Sequence, residues 1–133
     1  MAALARADNV TVGHANAYAE LGLDGSEPPS ILRAEGAKEC AVELYSMTKS
    51  FSMAGWRMAF LVGRSDVVEA LVKLKCYLDY GTLQLIQIAA TVTLNEKPDF
   101  PLHANEIYQA RRNASCDGLD STGWRLPRPP AQM

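Results

Sequence analysis

The spacing of apolar and polar positions changes several times along the chain, and each change marks an element. Residues 1–8 read as the end of a helix. Asn9-Val10-Thr11-Val12-Gly13-His14 is short and β-branched, which predicts a strand. Residues 22–30, with Gly22, Asp24-Gly25 and Pro28-Pro29-Ser30, read as loop from their turn chemistry. Ala41 to Met47 alternates as a strand. Met58 to Gly63 is a continuous apolar run between turn signals, the pattern of a strand buried on both faces.

Helical spacing takes over after Gly63. Ser65 is expected to cap a helix that has Asp66 and Glu69 in its first turn and Lys73 and Lys75 further on, in accord with the helix dipole. Val67, Leu71, Leu74 and Leu78 form its apolar stripe. A second helix, Leu83 to Asn95, is apolar nearly all round and calls for cover on several sides. A loop at residues 96–101 leads to a third helix, Leu102 to Leu119. Gly123 closes that region, and Trp124 opens a possible strand that ends at Met133. Three strands followed by three helices describe an α/β protein cut open, so the chain is expected to be a piece of something larger.

Composition adds mainly exclusions. The chain has 133 residues, 48% apolar and 21% charged, which suits about one folded domain. A formal charge of −2 offers no basic field for nucleic acid, and Arg111-Arg112 reads as a solvated helix face. Cys40, Cys76 and Cys116 are odd in number and far apart, which argues against a disulfide framework or a zinc site. His14 and His103 are isolated in sequence, and neither is expected to bind metal. No run is long enough to span a membrane and the start lacks a signal-peptide core, so a soluble, cytoplasmic protein is expected.

The densest chemistry lies between Ser46 and Arg57. There a strand ends, a turn of small residues carries Lys49, and Gly55 allows tight backbone before Arg57. An amine, hydroxyl donors and a guanidinium together suit a phosphorylated carbonyl compound. The guanidinium can bind phosphate bidentately and the amine can condense with an aldehyde. Taken alone, a lysine in a Ser/Thr-rich loop is more often simply solvated.

Ser46-x-x-Lys49 followed by Met53-Ala54-Gly55-Trp56-Arg57 closely resembles the lysine motif of the class I/II aminotransferases, fold type I enzymes dependent on pyridoxal phosphate. The resemblance is strongest to the alanine (glutamate–pyruvate) and diaminopimelate aminotransferase branch. Ala17-Tyr18-Ala19-Glu20-Leu21, Pro29-Ser30-Ile31-Leu32, Ala41-Val42-Glu43-Leu44, Leu78-Asp79-Tyr80-Gly81-Thr82 and Gly123-Trp124 follow in that family's order. The resemblance implies part of the large cofactor-binding domain over residues 1–104 and the truncated start of the small domain over 105–133. It implies that Lys49 joins the cofactor's aldehyde and later moves the proton between substrate Cα and cofactor C4′. Ser46 and Arg57 would hold the phosphate, and Tyr18 would donate to the phenolic oxygen. It also implies amino-acid and 2-oxo-acid substrates and a homodimer, with no metal.

The chain departs from the family in one revealing place. Three residues before the tyrosine the family has an aspartate that pairs with the pyridinium nitrogen, and here that position is Ala15. Asn16 is adjacent, but successive side chains on a strand face opposite ways. Losing such a charge-assisted bond in the transition state costs roughly 10–150-fold in rate. The family's phosphate loop, its ring-stacking aromatic and its carboxylate-binding arginine would lie outside these residues. The isolated chain is therefore expected to be inactive. Alternatives are a catalytically dead remnant or an interaction fragment that pairs with a full-length homologue, and another fold type I reaction such as a lyase or decarboxylase.

Overall fold

The computed structural model describes residues 1–131. At its centre is a three-stranded sheet in the order β1 (Val12–Asn16), β2 (Ala41–Ser46), β3 (Ala59–Gly63). β1 runs parallel to β2, with His14 beside Glu43, Ala15 beside Leu44 and Asn16 beside Tyr45. β3 runs antiparallel to β2, with Ala59 beside Ser46. The helices are α1 (Ala2–Ala7), α2 (Ala37–Cys40), α3 (Met47–Ser50), α4 (Ser65–Leu78), α5 (Gln84–Glu96) and α6 (Phe100–Ser121). The fold is mixed α/β, as the apolar pattern predicts.

Several boundaries differ from the sequence expectation for identifiable reasons. The first strand starts at Val12 and not at Asn9. Asn9 adopts a left-handed conformation (φ 51°), its N–H bonds to Arg6 O, and Val10 N–H bonds to Ala5 O. Residues 9 and 10 thus form a Schellman close to α1. Ser65 is the first residue of α4 and makes no side-chain cap; Arg64 takes the cap position. Asp66 instead accepts from its neighbour's Val67 N–H and from the Arg64 guanidinium. α6 is longer than expected at both ends and runs straight through Asn113–Gly118. It closes on Gly123 (φ 89°), with Trp124 N–H bonded to Leu119 O and Gly123 N–H to Asp120 O.

One expectation about burial, that for β3, is overturned. β3 is not covered on both faces: it is an edge strand, and Val62 is 43% exposed. Its continuous apolar run therefore reflects composition without two covering layers. α5 buries only Ala90, leaving Leu85, Ile88 and Val92 exposed. The segment after Trp124 forms no strand within the described residues. It contributes one bridge, Ala131 to Gly22, with Leu23 N–H donating to Pro130 O. Residues 132–133, the end of that expected strand, lie outside the described residues.

Two small apolar clusters hold the sheet. One joins α1 to α2 through Ala2, Ala5, Ala37, Cys40 and Ala41. The other, of Met47, Phe51, Met53 and Ala90, sits beyond the carboxyl end of β2 and is flanked by Tyr45, Met58 and Phe60. Phe51 also lies nearly parallel to Phe100, with ring centres 6.2 Å apart, which fixes α3 against the start of α6. Among the described residues no helix is long and apolar enough to cross a membrane.

Candidate functional site

All four residues singled out in the sequence belong to one edge of the sheet. Because β1 and β2 are parallel, the segments after Asn16 and after Ser46 leave the sheet at the same end. β3 runs the other way, so the segment before Ala59 meets them there. Tyr18, Ser46, Lys49 and Arg57 occupy those three segments. The carboxyl ends of parallel strands are where open α/β sheets bind ligands, since backbone and side chains there diverge and leave a crevice.

Lys49 does not sit on an irregular turn, as its small neighbours suggested. It lies on α3, a single helical turn that Ser46 caps by accepting from Thr48 N–H at 3.2 Å. Met47 and Ser50 face inward and are wholly buried, so the turn is anchored from beneath and Lys49 points outward. Its Nζ stands 5.7 Å from the centre of the Tyr18 ring, a cation–π distance. Both residues line a cavity of about 400 Å³ together with Thr48, Ser52 and Tyr108. Tyr108, from α6, has no signal in the local sequence. It is brought to the lysine by the helix packing.

Ser46 and Arg57 retain donors for an anion. The Ser46 hydroxyl uses an acceptor position for the cap, which leaves its O–H free to donate. Arg57 is exposed, and one guanidinium nitrogen donates to Ala54 O at 3.3 Å. Its backbone is left-handed (φ 53°, ψ 44°), as is that of Ser52 (φ 54°). Such conformations are costly for residues with side chains and cluster at functional sites. The amine and the phenol share one cavity, whereas Ser46 and Arg57 lie at the same end of the sheet but do not line it. Groups of these kinds suit a phosphorylated aromatic aldehyde.

A second, larger cavity, of about 870 Å³, does not contain the lysine. It lies between the sheet, residues 19–33 and α6, and at its floor is Glu43. Glu43 is a buried carboxylate with four donors: His14 Nδ1 at 2.9 Å, Asn16 Nδ2 at 3.1 Å, Ser30 Oγ at 2.9 Å and Ile31 N–H at 2.9 Å. Burial by itself pushes this carboxyl up; the four donors outweigh it and hold the group below the usual glutamate range. His14, isolated in the sequence, is thus paired in the structure. Sequence reasoning passed over Glu43 because one acidic residue in a strand is unremarkable until its neighbours from β1 and residues 30–31 are known.

The position of Ala15 now has a structural meaning. Asn16 is buried and turned toward Glu43, whereas Ala15, its neighbour, is exposed and pairs with Leu44 on the opposite face. Asn16 is committed to the Glu43 network and cannot stand in for a carboxylate at position 15.

The aminotransferase class I and II family model matches residues 1–133. The glutamate-pyruvate aminotransferase AlaC of Escherichia coli (strain K12) is 40% identical over 131 residues, which is 98% of this chain and 32% of that protein. An LL-diaminopimelate aminotransferase of Desulforudis audaxviator (strain MP104C) is 42% identical over 127 residues, covering 96% of this chain and 32% of the relative. Among solved structures, apo-BacF of Bacillus subtilis matches with a TM-score of 0.92 at 33% identity, over 98% of this chain and 33% of its own. The chain therefore spans about a third of the length of the relatives it matches. With the match running from the first residue to the last, this chain belongs to the aminotransferase class I and II family.

Proposed function

We propose that this chain carries the pyridoxal-phosphate-binding lysine segment of an aminotransferase that moves an amino group from an amino acid to a 2-oxo acid, of the alanine/glutamate type. The observation that carries the reading is the approach of Lys49 to Tyr18 at the edge that also bears Ser46 and Arg57. The two named relatives, a glutamate-pyruvate and a diaminopimelate aminotransferase, support the substrate class.

Pyridoxal phosphate, when bound, supplies an aldehyde for exchange with the substrate amine and a ring that withdraws electrons from substrate Cα. In this reading Lys49 would be the residue that holds the cofactor's aldehyde, and its amine would be the base that moves the proton at substrate Cα. Tyr18 donates its phenolic hydrogen to the cofactor's O3′. Ser46 and Arg57 bind the phosphate, one as a neutral donor and one as a paired charge. Residues 1–104 belong to the large domain and 105–133 open the small one, with α6 shared between them. A homodimer and a cytoplasmic location complete the proposal.

A second reading has its own observation. Ala15, exposed where the family has its aspartate, favours a chain that holds the lysine without turning over substrate, or one that pairs with a full-length homologue. For the 133-residue polypeptide we expect no transamination. The test is to add pyridoxal phosphate, remove the excess, reduce with borohydride and map the pyridoxyl group by mass spectrometry. Selective modification of Lys49, with none at the remaining lysines of Lys49→Ala, supports the site. Equal labelling of several lysines overturns it. Measurable turnover with an amino donor and a 2-oxo acid overturns the inactivity.

A further inference from the structure

We propose that Glu43 is a positioning residue of this site: its buried carboxylate ties the end of β1 to β2 and thereby sets Tyr18 against Lys49. The inference rests on the cofactor-site reading above but draws on residues that reading does not use. Glu43 stands on the central strand, three residues before Ser46, which caps the turn that carries Lys49. Two of its donors, His14 and Asn16, are on β1, and Asn16 is the last residue of that strand. Tyr18 follows two residues later.

The other two donors, Ser30 Oγ and Ile31 N–H, come from the connection that returns the chain from β1 to β2. One carboxylate thus holds both ends of the excursion that contains Tyr18. Its side chain is 8% exposed, so the carboxylate depends on these four donors, although His14 keeps 34% exposure of its own. The parallel ladder alone fixes β1 beside β2 only as far as Asn16, paired with Tyr45. Beyond that point the segment bearing Tyr18 has left the sheet, and the Asn16–Glu43 bond is the last tie before it.

A general packing role and a positioning role differ in what they predict for a pair of substitutions. Glu43→Gln keeps the size of the side chain, removes its charge and sets one amide N–H₂ against the donors. If Glu43 acts through Tyr18, its effect on cofactor retention should vanish once the Tyr18 hydroxyl is gone. The experiment measures the rate at which bound pyridoxal phosphate leaves the parent chain, Glu43→Gln, Tyr18→Phe and the double variant, after gel filtration. Each single change should speed release by about 10-fold, the factor one charge-assisted hydrogen bond controls, and the double variant by no more than the larger single effect. Multiplying effects, or no effect of Glu43→Gln, overturn the proposal.

A readout without cofactor separates this inference from the one beneath it. Backbone hydrogen exchange over residues 14–18 should quicken about 10-fold in Glu43→Gln while α4 is unchanged. If the parent chain fails to retain pyridoxal phosphate at Lys49, the site reading falls and exchange alone decides the positioning role. Unchanged exchange at residues 14–18, or an equal rise throughout α4, overturns it.

Discussion

The amine of Lys49 stands 5.7 Å from the centre of the Tyr18 ring although the two residues leave different strands of the sheet. The parallel pairing of β1 and β2 makes that approach possible, because it brings both carboxyl ends to one edge. An exposed cation–π contact is worth about 0.5–1 kcal/mol, so the ring contributes modestly to holding the amine in place. Tyr18→Phe should keep the ring face and lose only the hydroxyl. Tyr18→Leu should lose both and label more slowly at Lys49, by a further factor of about 2–5. Rates of borohydride-trapped pyridoxyl at Lys49 decide it; identical rates for the Phe and Leu variants would leave the ring no part.

Neighbouring substitutions on β1 should behave oppositely. Ala15→Asp adds a carboxylate on an exposed face and should change stability by less than about 0.5 kcal/mol. Asn16→Asp places a second carboxylate against Glu43, 3.1 Å away through the present hydrogen bond, and should destabilise by about 1–3 kcal/mol at neutral pH. Paired urea melts compare them. Equal losses at both positions would contradict the facing assigned here.

Acid should act through Glu43. Its folded carboxyl lies below the ordinary value of 4.5, so in the folded state it stays ionised to lower pH than in the unfolded chain. The stability from this group is then complete above that ordinary value and is lost as pH falls through the folded value. Glu43→Gln should flatten this part of the stability–pH curve. Melting curves between pH 6 and the acid limit of solubility, parent against variant, make the comparison; parallel curves would remove the linkage.

At Gly63 both the backbone angle and the neighbouring strand exclude a side chain. Its φ of 128° is unfavourable for any side chain, and a Cβ there would run into the backbone of Ala41 and Val42 on β2. Gly63→Ala should cost at least about 1 kcal/mol and weaken the β2–β3 pairing. The change in urea midpoint measures it, and an unaltered midpoint would show that the ends of the two strands separate freely.

The exposed face of α5 carries a prediction about solubility. Leu85, Ile88 and Val92 are 69%, 51% and 45% exposed and share one helical stripe. An apolar stripe of this kind promotes self-association. Leu85→Lys with Ile88→Lys should shift sedimentation toward monomer and reduce binding of a hydrophobic dye. No change in either would place the adhesive surface elsewhere, for instance on the open edge of β3.

The order of the three strands and three long helices was legible from local pattern, whereas the short turns α2 and α3 were not, and the lysine segment stood out only through its resemblance to a family motif. Alternation in Ala41–Ser46 and helical spacing from Ser65 to Leu78 are properties of neighbouring residues, and local sterics decide them. Ser46, Lys49 and Arg57 are close in sequence, so the motif they form could be recognised without a fold. What the sequence could not decide were relations between distant segments. The burial of β3 and α5 depends on what covers them, which no period records. His14 looked isolated and Glu43 ordinary because their partnership is made across a strand pairing, with Ser30 and Ile31 supplied by a loop. Tyr108 reached the lysine only through the packing of α6. Local propensity determined which residues could form each element; the pairing and packing of those elements decided which side chains meet, because burial and hydrogen bonding are properties of pairs far apart in the chain.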